Sequence, residues 1–355
     1  MKRIYSVFVL SISLLFAYTS FSQQYSKVKI YADSEGLQHL AEMGVGIDHG
    51  QYKKDIFFIS DFSERDIQLI DQLGYRYEIL IEDMTKYFLE QNELAKLKGS
   101  EKSSDACAVD NIQSPVNFQL GTMGGYYTYD EYLAELDAMV AAYPNLISAK
   151  APISTFETFE NRPIYHVKIS NNPGSDDGDP YVLYSAIHHA REPASLSQTI
   201  YYMWYLLENY GTSEEITYLV DNTQMLFVPV VNPDGYIFNV VDEPGGGGYW
   251  RKNRRNLGGG DYGVDNNRNY SYGWNTTGVS ADPGSDVYPG TAAFSEPENQ
   301  AMKWLNEEYN IQLAFNAHTF GNTLLYPIGT TSEEFADHHD YFQAESNHMV
   351  EFNGY

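Results

Sequence analysis

Two segments of the sequence carry side chains that could hold a metal ion. In "LYSAIHHAREPASLSQ" (residues 183–198), an apolar run is followed by two histidines, an arginine and a glutamate. His189 and Glu192 are three residues apart, so both can converge on one cation if a strand ends at the histidine and a helical turn begins. Imidazole nitrogen and carboxylate oxygen suit Zn²⁺, and a third protein ligand would leave one position open for water. His318, which follows another apolar run, is the candidate third ligand.

The H-x-x-E spacing is weak evidence by itself, because any helix start can carry it by chance. The alternative interpretation is a capped helix with solvated charges. The other motifs of the sequence are therefore stronger evidence for a metal site than this tetrapeptide is.

The elements that would position these side chains belong to a mixed α/β fold. Four segments are predicted strands: "PIYHVKIS", "PYVLYSAI", "TQMLFVPVV" and "IQLAFNAH". The last three are nearly all apolar, which indicates strands buried on both faces. We therefore expect a largely buried sheet with helices on both faces, one of them following a Thr128 cap. Functional groups in such folds follow the carboxyl ends of strands, as His189 and His318 do.

The sequence before this region divides into three parts. Residues 1–22 have two basic residues, a short apolar run and small residues near Ser22, as in a secretory signal peptide. Residues 23–90 alternate strand and short-helix patterns and predict a small α+β module. Residues 91–117 are polar and predict a linker, which leaves 118–355 as the main domain.

Helix boundaries within the small module are also predicted. Ser34 and Ser63 stand where helix N-caps belong, and Gly44 and Gly74 stand where the two helices would stop.

Composition excludes some classes of function. The formal net charge of the 355-residue chain is -26, so a nucleic-acid partner is not expected, because phosphate binding needs clustered Lys and Arg. Cys107 is the only cysteine, so no internal disulfide can form and no cysteine is placed to accept a lipid anchor. Together with the leader, this predicts a secreted protein with no membrane anchor, stabilised by its core.

Several other polar clusters have structural interpretations. His188 should point away from its neighbour if the strand pleat persists, and residues 232–235 ("NPDG") predict a turn. Ser295 and Glu298 are spaced as a capping box. The run of four glycines at 245–248 lacks the residues of a phosphate loop and predicts a flexible loop.

Five motifs in order resemble those of the zinc carboxypeptidase A family. They are "IHHAREP", "VVNPDGY", "YWRKNRR", "GVDNNRNY" and "FNAHTFGNTLLYP". The resemblance covers about Thr122 to the C-terminus and is jointly specific. It implies that His189, Glu192 and His318 hold one Zn²⁺ per chain, and that Asp265 accepts a hydrogen bond from the first zinc histidine.

The same resemblance implies a set of substrate-binding residues. Arg251 would polarise the scissile carbonyl and stabilise the developing oxyanion. Asn267 and Arg268 would bind the free C-terminal carboxylate of the substrate, for which an arginine fork has matching geometry. Arg191 would make a further substrate contact.

The resemblance also implies parts that this chain lacks. The family's catalytic glutamate and substrate-clamping tyrosine lie well downstream of the third ligand, so the main domain is expected to be incomplete at its C-terminus.

The predicted function is that of a secreted zinc-dependent carboxypeptidase, which hydrolyses the C-terminal peptide bond of peptides with a zinc-activated water. Its partner would be a peptide or protein with a free C-terminus. The module at 23–90 resembles the family's activation segment, which covers the active site until it is cut away. The alternatives are a noncatalytic zinc- or peptide-binding relative and a metallopeptidase that trims wall peptides.

Overall fold

The computed structural model describes residues 23–98, 114–329 and 336–351. The predicted signal peptide, Cys107 and most of the predicted linker lie outside the described residues. The described chain contains a four-stranded sheet near its N-terminus, a five-stranded sheet in the larger second part, and a two-stranded hairpin.

The N-terminal sheet has the strand order β2-β3-β1-β4, with β1 antiparallel to both of its neighbours. Its apolar core includes Val28, Leu40, Phe62 and Ile70, which are all buried. Two helices therefore pack on a small antiparallel sheet. The elements are β1 (Tyr25–Ile30), α1 (Ser34–Glu42), β2 (Gln51–Lys53), β3 (Phe57–Ser63), α2 (Glu64–Gln72) and β4 (Tyr77–Ile81).

Helix boundaries in this module follow the sequence signals, with one exception. Ser63 caps α2 in a capping box with Asp66, and the glycines at 44 and 74 adopt positive φ where the helices end. The predicted cap at Ser34 is wrong, since the Asp33 carboxylate accepts the bond from the Gly36 N–H. The Ser34 hydroxyl donates to Asp55 instead.

A third helix, α3 (Met84–Lys98), enters the segment predicted to be a linker. Its residues are mostly strong helix formers, but they have no apolar stripe. Helix propensity could therefore have predicted α3, whereas apolar periodicity could not. The Thr85 hydroxyl and the Asn92 amide donate to the carbonyls of Gly247 and Gly245, at 3.1 and 2.8 Å. The glycine loop that was predicted to be flexible is therefore held against α3.

The second part of the chain is built on a mixed sheet of order β11-β7-β8-β6-β5. Strand β7 runs parallel to β11 and β8, whereas β6 is antiparallel to β8 and β5 is antiparallel to β6. The elements are α4 (Tyr129–Ala142), β5 (Ala151–Glu157), β6 (Pro163–Ile169), β7 (Tyr181–Ser185), α5 (Pro193–Asn209), α6 (Glu214–Asn222), β8 (Gln224–Val228), α7 (Pro233–Asp242), β9 (Asn256–Gly258), β10 (Asp261–Tyr262), a short 3-10 helix (Asn266–Arg268), α8 (Pro297–Glu308), β11 (Ile311–Asn316) and α9 (His339–Met349).

Helices cover both faces of this sheet, as predicted. On one face, Leu136 of α4 and Met203 of α5 belong to the same buried cluster as Phe227 of β8. On the other face, Leu305 of α8 belongs to a cluster with Leu226 of β8. Alternate residues of β8 thus serve two cores, which confirms the predicted α/β fold class. Thr128 caps α4, also as predicted.

Strand β11 departs from the prediction of a strand buried on both faces. Leu313 is 43% exposed, and the middle of the strand is exposed within the described residues. The reason is its place at the edge of the sheet beyond β7, where apolar composition alone does not determine burial.

A buried polar network replaces the predicted capping box. Helix α8 has Glu296 at its N-cap position with no side-chain cap bond, and the Ser295 hydroxyl donates to Glu296. The Glu298 carboxyl is fully buried and accepts from the Asn253 amide at 3.2 Å. Burial raises the pKa of the Glu298 carboxyl to about 8, and the neighbouring charge of Glu296 acts in the same direction.

The raised pKa of Glu298 predicts a pH-dependent stability. Because its folded-state pKa exceeds the unfolded value, its contribution is fully present below about pH 4.5 and is lost as pH rises towards about 8. Glu298→Gln keeps the shape of the side chain but cannot ionise, so its free energy of unfolding should fall less than that of the wild type over this range. Urea titrations at several pH values measure the difference, and parallel profiles for the two proteins would contradict the assignment.

Candidate metal centre

Two parallel neighbouring strands bring the predicted ligands together. Ser185 at the end of β7 pairs with Asn316 at the end of β11, and the Ala317 N–H extends the pairing by donating to the Ser185 carbonyl at 2.8 Å. His318 follows immediately. His189 lies in the loop after β7, which ends earlier than predicted, so a bend rather than the strand itself delivers this histidine.

The Glu192 carboxylate is the centre of the cluster. Glu192 precedes the first residue of α5 but makes no side-chain cap bond there. Its Oε1 lies 2.6 Å from His189 Nδ1, and its Oε2 lies 2.9 Å from His318 Nδ1. The Thr319 N–H also donates to Oε2, at 3.2 Å. Residues that are distant in sequence therefore meet around one buried carboxylate.

A fourth potential ligand, His49, comes from the N-terminal module and was not predicted. Its Nε2 lies 3.2 Å from Glu192 Oε1, and the ligand atoms of the four residues all lie within 4.8 Å of one another. His49 stands in the short segment "GIDHG" between α1 and β2, which has no motif or spacing that could have revealed it.

The donor set fits Zn²⁺. Atoms that each lie about 2.1 Å from one tetrahedral zinc ion are about 3.4 Å from each other. The ligand atoms of this cluster span that value, from 2.6 Å between His189 Nδ1 and Glu192 Oε1 to at most 4.8 Å. Imidazole nitrogens with one carboxylate are among the ligand types that zinc prefers. The three predicted ligands, His189, Glu192 and His318, lie in this cluster, and His49 faces the same point.

Charge balance favours an ionised Glu192. Burial opposes its ionisation, but His189 and His318 together hold the pKa of this carboxyl well below its usual value. Glu192 is 2% exposed and His189 is fully buried. A buried anion of this kind requires positive partners, which histidines or a metal cation can provide.

Asp265 connects His189 to Arg251. Its Oδ1 lies 3.2 Å from His189 Nε2, on the side of the ring away from Glu192. Its Oδ2 accepts from Arg251 Nε and Nη2 at 3.1 and 2.8 Å. A carboxylate at this place can fix the tautomer of His189 that presents Nδ1 to the metal.

Arg251 and Arg268 converge on one aspartate of the N-terminal module. Asp48 Oδ2 accepts from Arg251 Nη2 at 2.7 Å and from Arg268 Nη2 at 2.8 Å. Burial opposes ionisation of Asp48, but the two guanidinium groups hold the pKa of its carboxyl well below the usual value. Asn267 is partly buried in the same 3-10 helix as Arg268, and its N–H donates to Asp265. The two arginines thus form a site for a carboxylate.

Arg191 lies outside this carboxylate site. Its Nη1 is 3.0 Å from Asp286 Oδ2, and its guanidinium lies 5.1 Å from the ring centre of Tyr25. The Tyr25 hydroxyl donates to the same Asp286 oxygen at 2.7 Å. The first strand of the N-terminal module therefore occupies the surroundings of this predicted substrate contact.

The predictions for His188 and for the segment at 232–235 have different outcomes. His188 is not in the ligand group, as predicted, and its Nε2 lies 2.7 Å from the Tyr270 hydroxyl. Burial and the neighbouring histidines lower the pKa of His188 to about 3. The predicted turn at "NPDG" is wrong, because Asn232 caps α7 by accepting from the Gly235 N–H. Its amide also donates to the His188 carbonyl and so supports the ligand loop.

The family follows from comparison with known proteins. Residues 132–353 match the family model of the zinc carboxypeptidases, peptidase family M14. This match spans more than half of the chain, so the chain belongs to the zinc carboxypeptidase family, as its five motifs predicted.

Relatives of known sequence and structure agree with this assignment. The chain is 33% identical to carboxypeptidase B of Helicoverpa zea over 219 residues, which are 59% of this chain and 49% of that protein. It is 30% identical to carboxypeptidase A1 of Sus scrofa over 266 residues, 74% of this chain and 58% of that protein. The chain thus spans about half the length of these relatives. The solved structure of carboxypeptidase A from Helicoverpa armigera has the same fold, with a TM-score of 0.71, 24% identity and coverage of 93% of this chain and 78% of that one.

Removal of any one of the predicted ligands should weaken metal binding. For His318→Ala and Glu192→Gln, we expect zinc affinity to fall by more than the about 10- to 100-fold typical of losing an outer-shell partner. Competition with a chromogenic chelator measures this affinity. His348→Ala is the matched control, since His348 is exposed on α9. Equal affinities for ligand variants and control would place the metal elsewhere.

Proposed function

We propose that this chain is the precursor of a secreted zinc-dependent carboxypeptidase, which hydrolyses the C-terminal peptide bond of peptides and proteins. One observation carries the proposal: Asp265 links His189 of the buried His–Glu cluster to Arg251, and Arg251 and Arg268 together already hold a carboxylate. A metal site and a carboxylate site joined by one aspartate suit a substrate whose scissile bond lies next to its terminal carboxylate.

The contacts of each residue indicate the role that it would have in hydrolysis. His189, Glu192 and His318 would hold the zinc ion, which when bound supplies Lewis acidity at the scissile carbonyl. Arg268 would hold the terminal carboxylate of the substrate, with Asn267 as its neighbour. Arg251, fixed by Asp265, would donate to the carbonyl oxygen as negative charge grows there.

The arginine pair also explains why a free C-terminus would be preferred to an internal peptide bond. Arg251 is 2% exposed, and Arg268 has its Nε committed to the Gly278 carbonyl. The Nη2 group of each arginine donates to one carboxylate, that of Asp48. An internal peptide segment brings no such charge, and the desolvated arginines would then lack a partner. Peptides with a free C-terminus are therefore the favoured substrates.

The N-terminal module is proposed to be an inhibitory segment that is removed by cleavage in the predicted linker. Asp48 occupies the arginine pair that a substrate carboxylate would need, and Tyr25 occupies the surroundings of Arg191. Secretion rests on the leader-like residues 1–22. Within the described residues, no helix has both the length and the apolar character needed to cross a membrane.

Arg268→Gln should separate recognition of the terminal carboxylate from the chemistry. In the zinc-loaded protein that is expressed to its natural stop codon and cut within residues 99–113, kcat/KM for an N-blocked peptide with a free C-terminus should fall by about 10- to 100-fold, because a hydrogen bond between charged groups is lost. The C-terminally amidated peptide should be a poor substrate for both proteins. Zinc uptake without turnover of either peptide would favour the noncatalytic alternative, and preference for the amidated peptide would exclude a carboxypeptidase.

Asp48→Asn should weaken inhibition in the uncut protein. The neutral amide loses its charge-assisted bonds to Arg251 and Arg268. In the protein expressed to its natural stop codon, residual hydrolysis by the uncut variant should therefore exceed that of the uncut wild type by about tenfold or more. After cleavage in the linker, the two proteins should be equally active. Asp71→Asn, on the exposed face of α2, is the matched control. Equal activity of all three uncut proteins would show that Asp48 does not inhibit.

A further inference from the structure

The His–Glu cluster contains one ligand more than the proposed catalytic site requires. Three protein ligands leave a catalytic zinc ion with an open position, whereas four close it. His49 Nε2 lies 3.2 Å from Glu192 Oε1, and the His49 ring centre lies 5.2 and 5.5 Å from those of His189 and His318. These separations resemble the 4.7 Å between the His189 and His318 rings. His49 therefore approaches the common point as the predicted ligands do.

The other nitrogen of His49 faces a carboxylate. Its Nδ1 lies 3.2 Å from Asp48 Oδ1, while Asp48 Oδ2 is held by Arg251 and Arg268. A carboxylate on one ring nitrogen favours the tautomer in which the opposite nitrogen carries the lone pair, as is usual for histidines that bind metals. The pair Asp48–His49 thus repeats the arrangement of Asp265–His189 on the other side of the site.

The backbone around His49 is fixed by its own module. The His49 carbonyl accepts from the Ser60 hydroxyl of β3. At Gly50, a Cβ atom would lie 2.5 Å from the Ile59 carbonyl oxygen, so only glycine allows the chain to pass this close to β3. His49 is accordingly presented by a segment braced against the sheet, and its side chain is 15% exposed.

We propose that His49 is a fourth protein ligand of the metal in the uncut chain. The inference rests on the proposed function, and it adds a second mode of inhibition to the contact of Asp48 with the arginines. His49 would fill the position that water and the substrate carbonyl need, and removal of the module would open that position. The competing interpretation is a hydrogen bond between His49 and Glu192 that does not involve the metal.

X-ray absorption spectroscopy at the zinc edge of the uncut chain, loaded with Zn²⁺ alone, distinguishes these interpretations. Three imidazole ligands are expected in the wild type and two in His49→Ala. His49→Phe fills the same space without a donor and should also show two, which excludes a simple loss of packing. His39→Ala is the matched control, because His39 is an exposed histidine of the same module.

Zinc release gives a second readout that does not depend on activity. Transfer of zinc from uncut His49→Phe to an excess of chelator should be faster than from the wild type and His39→Ala by about 10- to 100-fold. Two imidazoles in every protein, with equal release rates, would overturn the inference and leave the proposed function intact. Failure of the wild type to take up zinc would overturn both.

Discussion

The buried carboxylate of Glu192 is the constraint on which the site depends. An ionised carboxylate that is 2% exposed is costly unless cationic or hydrogen-bonding groups surround it. Three imidazoles, from the loop after β7, from the end of β11 and from the N-terminal module, approach this one group. The geometry of the cluster therefore indicates the position of a bound cation. The parallel pairing of β7 with β11 positions His189 and His318 around it.

Much of this arrangement was predictable because it depends on local patterns. Apolar runs followed by His189 and His318 indicated strands whose carboxyl ends meet, and the mixed sheet with helices on both faces confirmed the fold class. The H-x-x-E spacing predicted that His189 and Glu192 converge. The motifs then distinguished a metal site from a capped helix, which spacing alone could not do.

The remaining features arise from tertiary context. Glu298 has the spacing of a capping residue, but its burial against Asn253 decides its role, and no local pattern encodes burial. The exposure of β11 follows from its position at the sheet edge rather than from its apolar composition. His49 and Asp48 reach the site only because the two parts of the chain pack together, so a five-residue segment without a motif gave no signal.

The contacts between the two parts link specificity and control. Arg268 is proposed to bind the terminal carboxylate of a substrate and Arg251 its scissile carbonyl oxygen, and in the uncut chain Asp48 accepts from both arginines. The inhibitory module is thus bound at this point by the same arginine side chains that are proposed to select the substrate. Its removal would leave Arg251 and Arg268 without the carboxylate that they share in the uncut chain.

The most direct test of the central claim is anomalous diffraction at the zinc absorption edge from crystals of the zinc-loaded protein. The account predicts a peak about 2.0–2.2 Å from the Nδ1 atoms of His189 and His318 and from the Glu192 carboxylate. A peak at any other place, or none at these three side chains, would contradict it.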